Sequence, residues 1–294
     1  MNLPAKNIIL LAALTSTALA PRALAVTDAE AASGRALVKQ YADSIISVEA
    51  VATITLTVGD HAQPPRENKV EANGTVISPA GLTVTDLSAI DPHGSIAAMA
   101  NARGMTQKIE VGETEFKEVK LRLANNTEVP AVIVLKDPDL NLIFIAPLSD
   151  PATPQRVFPF VSLDKSAQGE LLGNFFFVTR AMKSLQRVPI VRTTTVVGIV
   201  EKPRRMYLMS EHALGVPIFD STGLILGIST QYLENGRPTS LVVLTAADVA
   251  ELAKQAAAVK PEEKVEKQDK PDTAVKPDTT AKPAAPAEQP PAKP

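Results

Sequence analysis

Three histidines, His61, His93 and His212, are the only imidazoles in this 294-residue chain, which has no cysteine. Thiolate nucleophiles, thiolate metal sites and disulfides are therefore unavailable. A hydroxyl activated by an imidazole is the covalent chemistry these residue types still permit. Ser210 lies two positions before His212, and His61 and His93 sit in or beside polar loops, so spacing alone leaves a rearranged Ser/His pair open. Histidines with no catalytic part are the simpler reading. The three imidazoles show no metal-ligand spacing and no HExxH-like helix, and no Gly-rich phosphate loop is present. No metal or cofactor is expected.

The elements that would position these groups are short and β-rich. Hydrophobic residues make up 45% of the chain, enough for a packed core. Residues 1–25 place Lys6 ahead of an apolar run from Ile8 to Ala20 and end in small-residue cleavage patterns at Ala20 or Ala25. That is the pattern of a secretory leader, and the run is too short to span a bilayer. The expectation is export, with no membrane span after cleavage. A formal charge of −2 gives no nucleic-acid footprint. From Lys260 the chain turns to Lys, Pro, Ala and acids with echoes in KPDTAV, KPDTTA and KPAAP, so 259–294 is expected to be a disordered spacer.

Between these ends, Asp28 to Ala42 has helical composition interrupted at Ser33 and Gly34. Ser44 to Val58 and Val70 to Ser78 read as strands flanking a polar loop, Asp60 to Asn68. Pro79-Ala80-Gly81 is a turn, and Asn125-Asn126 and Asn235-Gly236 are hairpin signals. Pro147 to Pro159 reads as a linker. Strands are expected at Phe158 to Leu163, Gly173 to Thr179, Val188 to Val200 and Ser240 to Leu244. Phe175-Phe176-Phe177 is expected to be buried. Thr245 caps a terminal helix reaching Ala258.

Three windows then share one resemblance. Gly215, Pro217, Ile218, Gly223, Ile225, Gly227 and Ile228 fit a pattern close to GNSGGPLxNxxGxVIGI. Gly74, Ile77, Ser78, Gly81, Val84, Thr85, Ala89 and Ile90 fit GxIISxxGYIVTNxHVV. Asp137, Pro138, Leu142 and Ile145 fit DPxxDLAVI. In this order the windows resemble the protease domain of HtrA-type, trypsin-like serine proteases, over roughly Gly34 to Ala258. The resemblance implies an all-β fold, a double six-stranded β-barrel with a C-terminal helix. Its barrels would occupy about 34–147 and 158–258 within a 26–258 domain. Ser95 to Val119 has no family counterpart and reads as an insertion, loop with a little strand. No PDZ domain is expected in the stretch after the 26–258 domain.

The same alignment places Ser88, Asn141 and Leu214 at the base, aspartate and nucleophile positions. None can do that chemistry: Leu214 has no heteroatom, the Ser88 hydroxyl is far too weak a base, and Asn141 cannot stabilise an imidazolium. In a working triad, replacing the aspartate by asparagine alone costs about 10⁴-fold in turnover. The former oxyanion-hole region, His212, Leu214 and Gly215, is expected to be the binding feature. Because histidine does not readily reach the backbone angles of the glycine it replaces, that loop is expected to depart from the family's shape. Leu214 either floors the old cleft or fills the space of the missing imidazole, and filling is preferred because interiors penalise voids.

These residues imply an exported pseudoprotease, periplasmic or else extracellular, that binds a polypeptide or envelope-protein partner by strand addition at the old cleft. Two alternatives stay open: an active serine endopeptidase with a rearranged site, and a structural envelope protein acting through its tail. Oligomeric state is not legible.

Overall fold

The computed structural model describes residues 27–91, 93, 94, 96, 109–148, 156–234 and 237–259. The leader, the tail beyond Val259 and the Asn235-Gly236 turn lie outside the described residues. None of the described helices is long and apolar enough to cross a membrane.

Helix α1, Asp28–Tyr41, starts at a capping box in which Thr27 and Glu30 bond each other's backbone. It runs unbroken through Ser33 and Gly34, contrary to expectation. Gly34 is buried, and a side chain there would be in ordinary contact with Val191. It is the point where the helix lies close on the second ring of strands. At the helix end the Tyr41 ring stacks on Phe219 at 4.4 Å.

Six strands close a first barrel in the order β1 Ile45–Ile54, β4 Arg66–Val76, β5 Thr83–Asp86, β9 Leu142–Pro147, β8 Glu128–Asp137 and β7 Glu115–Arg122. Apart from it, β2 Leu56–Val58, β3 His61–Ala62 and β6 Ile109–Val111 form a small sheet. Three expectations are corrected here. The strand expected over 44–58 breaks at Thr55, and the loop expected over 60–68 holds β3 and the start of β4. The presumed insertion contributes β6 and most of β7, and β7 closes the barrel against β1. A bulge at Val51/Ala52 skips one residue of β7, so Phe116 and Val119 both face the core at a spacing of three, hiding the period of two.

A second ring of six strands runs β10 Asn174–Arg180, β11 Pro189–Val200, β12 Met206–Met209, β15 Arg237–Thr245, β14 Ile225–Glu234 and β13 Pro217–Phe219. It closes where Phe176 and Phe177 pair with Phe219 and Ile218. All three phenylalanines of the 175–177 run are buried, as expected. Helix α3, Ala246–Ala258, follows its Thr245 cap. The chain is thus mostly β, two six-strand rings and a C-terminal helix, in line with that part of the expectation. Phe158 to Leu163, however, is not a strand. Its Phe158 and Val161 side chains are buried, while their N–H groups donate to the carbonyls of Pro79 and Val76 in the first barrel. Apolar spacing there reflects a buried connector, not a sheet.

The first barrel is filled by Ile46, Val48, Leu121, Ile133, Ile143 and Ile145. A larger apolar cluster runs through both rings, joining Ile45, Val84, Leu142 and Phe144 to Phe177, Ile218, Phe219 and Leu244. Each fully buried side chain of this size contributes about 1.5–3 kcal/mol.

Candidate functional site

The seam between the rings is built on a residue that sequence reading passed over. Strand β5 delivers Asp86 to the N-terminus of a one-turn helix, α2 Leu87–Ile90, and the side chain is completely buried. Its Oδ1 accepts from the Ala89 N–H at 2.9 Å, which caps α2, and from the Ser88 hydroxyl at 2.6 Å. Its Oδ2 accepts from Asn141 Nδ2 at 2.9 Å, the Thr230 hydroxyl at 2.9 Å and the Gln231 N–H at 2.7 Å. Five donors make up for removing this group from water.

Asn141 stands at the turn into β9 with φ 54°, a conformation asparagine tolerates. Its Oδ1 accepts from the Ser88 N–H at 3.0 Å, while Nδ2 also faces the Gln231 carbonyl at 3.0 Å and the Ser88 hydroxyl at 3.2 Å. A carboxylate on one side and an amide N–H on the other fix the orientation of this amide group. Ser88 and Asn141 are therefore brought together, but as partners in a network that ties β5, α2 and β9 of the first barrel to β14 of the second. The network also occupies both backbone groups of Gln231. That edge of β14 is therefore closed to an added strand at Gln231.

Leu214 does not join them. It is half-buried and lines a cavity of about 410 Å³ at the seam, with Ala72, Asn73, Ala89, Met182 and Lys183 among its other walls. The filling role preferred for it is thus corrected: it walls an open space instead of closing it. Beside it Gly215 takes φ +71°, and an added Cβ would lie 2.5 Å from the Asn73 carbonyl and 2.4 Å from Thr85 Oγ1. The Gly215 carbonyl accepts from the Thr75 hydroxyl at 2.9 Å and its N–H donates to Ser229. Gly215 is required by the close approach of β4 and β5, with no catalytic reason needed.

His212 is half-buried, and both ring nitrogens lack a hydrogen-bond partner. Burial pushes its imidazole below the ordinary value. The Ser210 hydroxyl points elsewhere, accepting from the Thr195 N–H at 3.0 Å. His93 Nε2 lies 3.2 Å from the Val111 carbonyl. Among the described residues no imidazole is hydrogen-bonded to a hydroxyl, and no group of three His, Cys, Asp or Glu residues is placed to hold a metal ion.

No family model matches this chain, and no curated protein does. Function must be argued from the geometry. A larger cavity, about 540 Å³, opens at the start of α3 between Arg204, Arg205, Tyr207 and Asp248. Its cations are already engaged: Arg204 pairs with Asp248 at 2.8 Å, and Arg205 lies over the Tyr207 ring. The seam cavity, walled by Leu214 and by Ala89 next to Ser88, is the better candidate.

Of the seam residues, Asp86, Thr230 and Gln231 were not singled out from the sequence. The available signal was one acid closing the β-branched run TVTD immediately before a short helix, where a carboxylate caps well. Its partners 144 and 145 residues away leave no mark in local sequence.

Proposed function

We propose that the chain is an exported, catalytically inactive homologue of HtrA-type, trypsin-like proteases that binds extended polypeptide at the seam between its rings. The observation that carries this reading is the fate of the three replaced positions. Ser88 and Asn141 are consumed in the Asp86 network, and Leu214 offers an apolar wall to an open cavity. A hydroxyl poised beside an imidazole, which hydrolysis by this route requires, is lacking among the described residues.

Strand β4 offers a route into the cavity. Strand β5 covers it only at Thr75 and Val76, so no described strand pairs with residues 66–72 on that side. Charged Arg66, Glu67, Lys69 and Glu71 along it discourage pairing between copies of the chain. A peptide laid there gains main-chain hydrogen bonds and sets one apolar side chain against Leu214 and Met182.

Two measurements test this reading. Fluorescent extended decapeptides carrying a central leucine should bind the mature chain, and Leu214→Arg should weaken binding at least about tenfold without altering the melting temperature. No binding, or equal binding by the variant, sinks the proposal. A fluorophosphonate serine-hydrolase probe should leave the wild type unlabelled. Restoring reactivity by Ser88→His, Asn141→Asp and Leu214→Ser should further require Asp86→Asn, because the restored carboxylate would otherwise face Asp86 across a 2.9 Å contact. Labelling of the wild type would identify a nucleophile that this reading denies.

A further inference from the structure

The turn between β10 and β11 is held in place by the other ring. Its backbone carries two successive non-glycine residues in the left-handed region, Gln186 at φ 58° and Arg187 at φ 52°, a sparsely populated conformation that persists only where surroundings enforce it. The turn's own bonds do not fully enforce it: Leu185 and Gln186 donate to Met182 and Lys183 at 2.9 and 3.0 Å, but the N–H groups of Arg187 and Val188 reach Met182 and Leu185 only at 3.4 Å. The apolar side chains at its tip do not either, since Met182 and Leu185 are 70% and 60% exposed.

The Arg187 side chain supplies the hold. Only 10% exposed, it reaches the first barrel, where Nε donates to Glu71 Oε1 at 2.6 Å and Nη2 to Glu49 Oε1 at 2.9 Å. Glu49 and Glu71 are direct cross-strand neighbours on β1 and β4, a like-charge pair that is unfavourable unless a cation bridges it. Arg122 from β7 occupies one side, donating to both Glu49 oxygens at 2.6 and 2.9 Å; Arg187 fills the other. The turn is pinned again through the Arg187 carbonyl, which accepts from Arg180 at 3.0 Å. The residues ahead of Arg187 in this turn, Met182 and Lys183, line the seam cavity, and Glu71 lines it too.

We propose that Arg187 is a latch: it closes a strained turn over the seam cavity by bridging Glu49 and Glu71, and its release lets residues 182–187 swing out and widen the cavity. Ala181 and Val188, joined by a 3.0 Å backbone bond where the β10–β11 ladder ends, are the hinge. The mechanism adds control of access to the polypeptide-binding reading and rests on it for its purpose, but it is testable without a ligand.

The chain has no cysteine, so Leu214→Cys gives a single thiol reporter inside the cavity. Arg187→Gln in that background should speed both amide hydrogen exchange over residues 185–188 and thiol modification by a disulfide reagent about tenfold. Exchange at Phe176 and Val178 in β10 should stay unchanged. Adding Gln186→Gly, which removes strain without restoring the guanidinium, should recover part of the lost protection. Unchanged exchange, faster exchange with an unchanged thiol rate, or a rise spread evenly through β10 and β11 each overturns the latch. Failure of peptides to bind while these rates shift as expected would instead count against the binding reading alone.

Discussion

Asp86→Ala is the sharpest probe of the seam, because its cost can be assembled from the partners left behind. Thr230 keeps an acceptor in the Asn141 carbonyl at 3.0 Å, and Asn141 Nδ2 keeps the Gln231 carbonyl. The Gln231 N–H has no second acceptor, and an orphaned buried donor costs about 1–3 kcal/mol. Loss of the α2 cap at Ala89 adds about 1 kcal/mol, and the space vacated by the carboxyl group about another. The sum is about 3–5 kcal/mol, read as a lowered urea midpoint with an unchanged slope. Asn141→Asp should also destabilise, by setting two carboxylates face to face. The exchanged pair Asp86→Asn with Asn141→Asp should recover stability relative to either single change, because one amide group again faces one carboxylate. A loss below about 1 kcal/mol for Asp86→Ala, or no recovery in the exchanged pair, would refute the network's part in holding the rings together.

Three other substitutions test close packing at two glycines and titration at His212. Gly215 and Gly223 both have positive φ, but a Cβ at Gly223 meets nothing closer than 3.6 Å, whereas at Gly215 it meets the Asn73 carbonyl at 2.5 Å. Gly223→Ala should cost about 1 kcal/mol in denaturant titrations and Gly215→Ala about 2–5 kcal/mol, the excess measuring close approach and not backbone conformation; equal costs would deny the steric argument. For His212, the folded state lowers the imidazole pKa below 6.5, so the unfolded chain takes up the proton first. This stability contribution is present above that value and lost as pH falls below it. His212→Leu should flatten the decline in urea midpoint between about pH 7.5 and 5.5, and a persistent slope would place its origin elsewhere.

How far the sequence carried depends on whether a signal was local. Turn chemistry at Asn126 and the Thr245 cap each act within a few residues, and the corresponding elements were legible. Strand β7 was not, because a bulge shifts Phe116 and Val119 off the expected period. Phe158 and Val161 misled in the opposite direction: they are buried like strand residues, but their N–H groups go singly to the end of β4 and the turn after it. At the seam, the types of Ser88, Asn141 and Leu214 were enough to say that these three side chains cannot perform Ser-His-Asp chemistry. Asp86 could not be weighed, because its worth comes from Thr230 and Gln231, far along the chain. The same holds for Arg187, whose partners Glu49 and Glu71 are supplied by strands of the first barrel.

The apolar cluster that runs through both rings has a consequence for divisibility. Leu142 and Phe144 belong to one ring and Phe177 and Phe219 to the other, yet they share one interior. If the chain were opened between residues 148 and 156, each half would carry an uncovered apolar face whose complement lies on its counterpart. Such halves should be poor solitary proteins but good mates, reassembling when co-expressed, and the whole chain should melt as a unit.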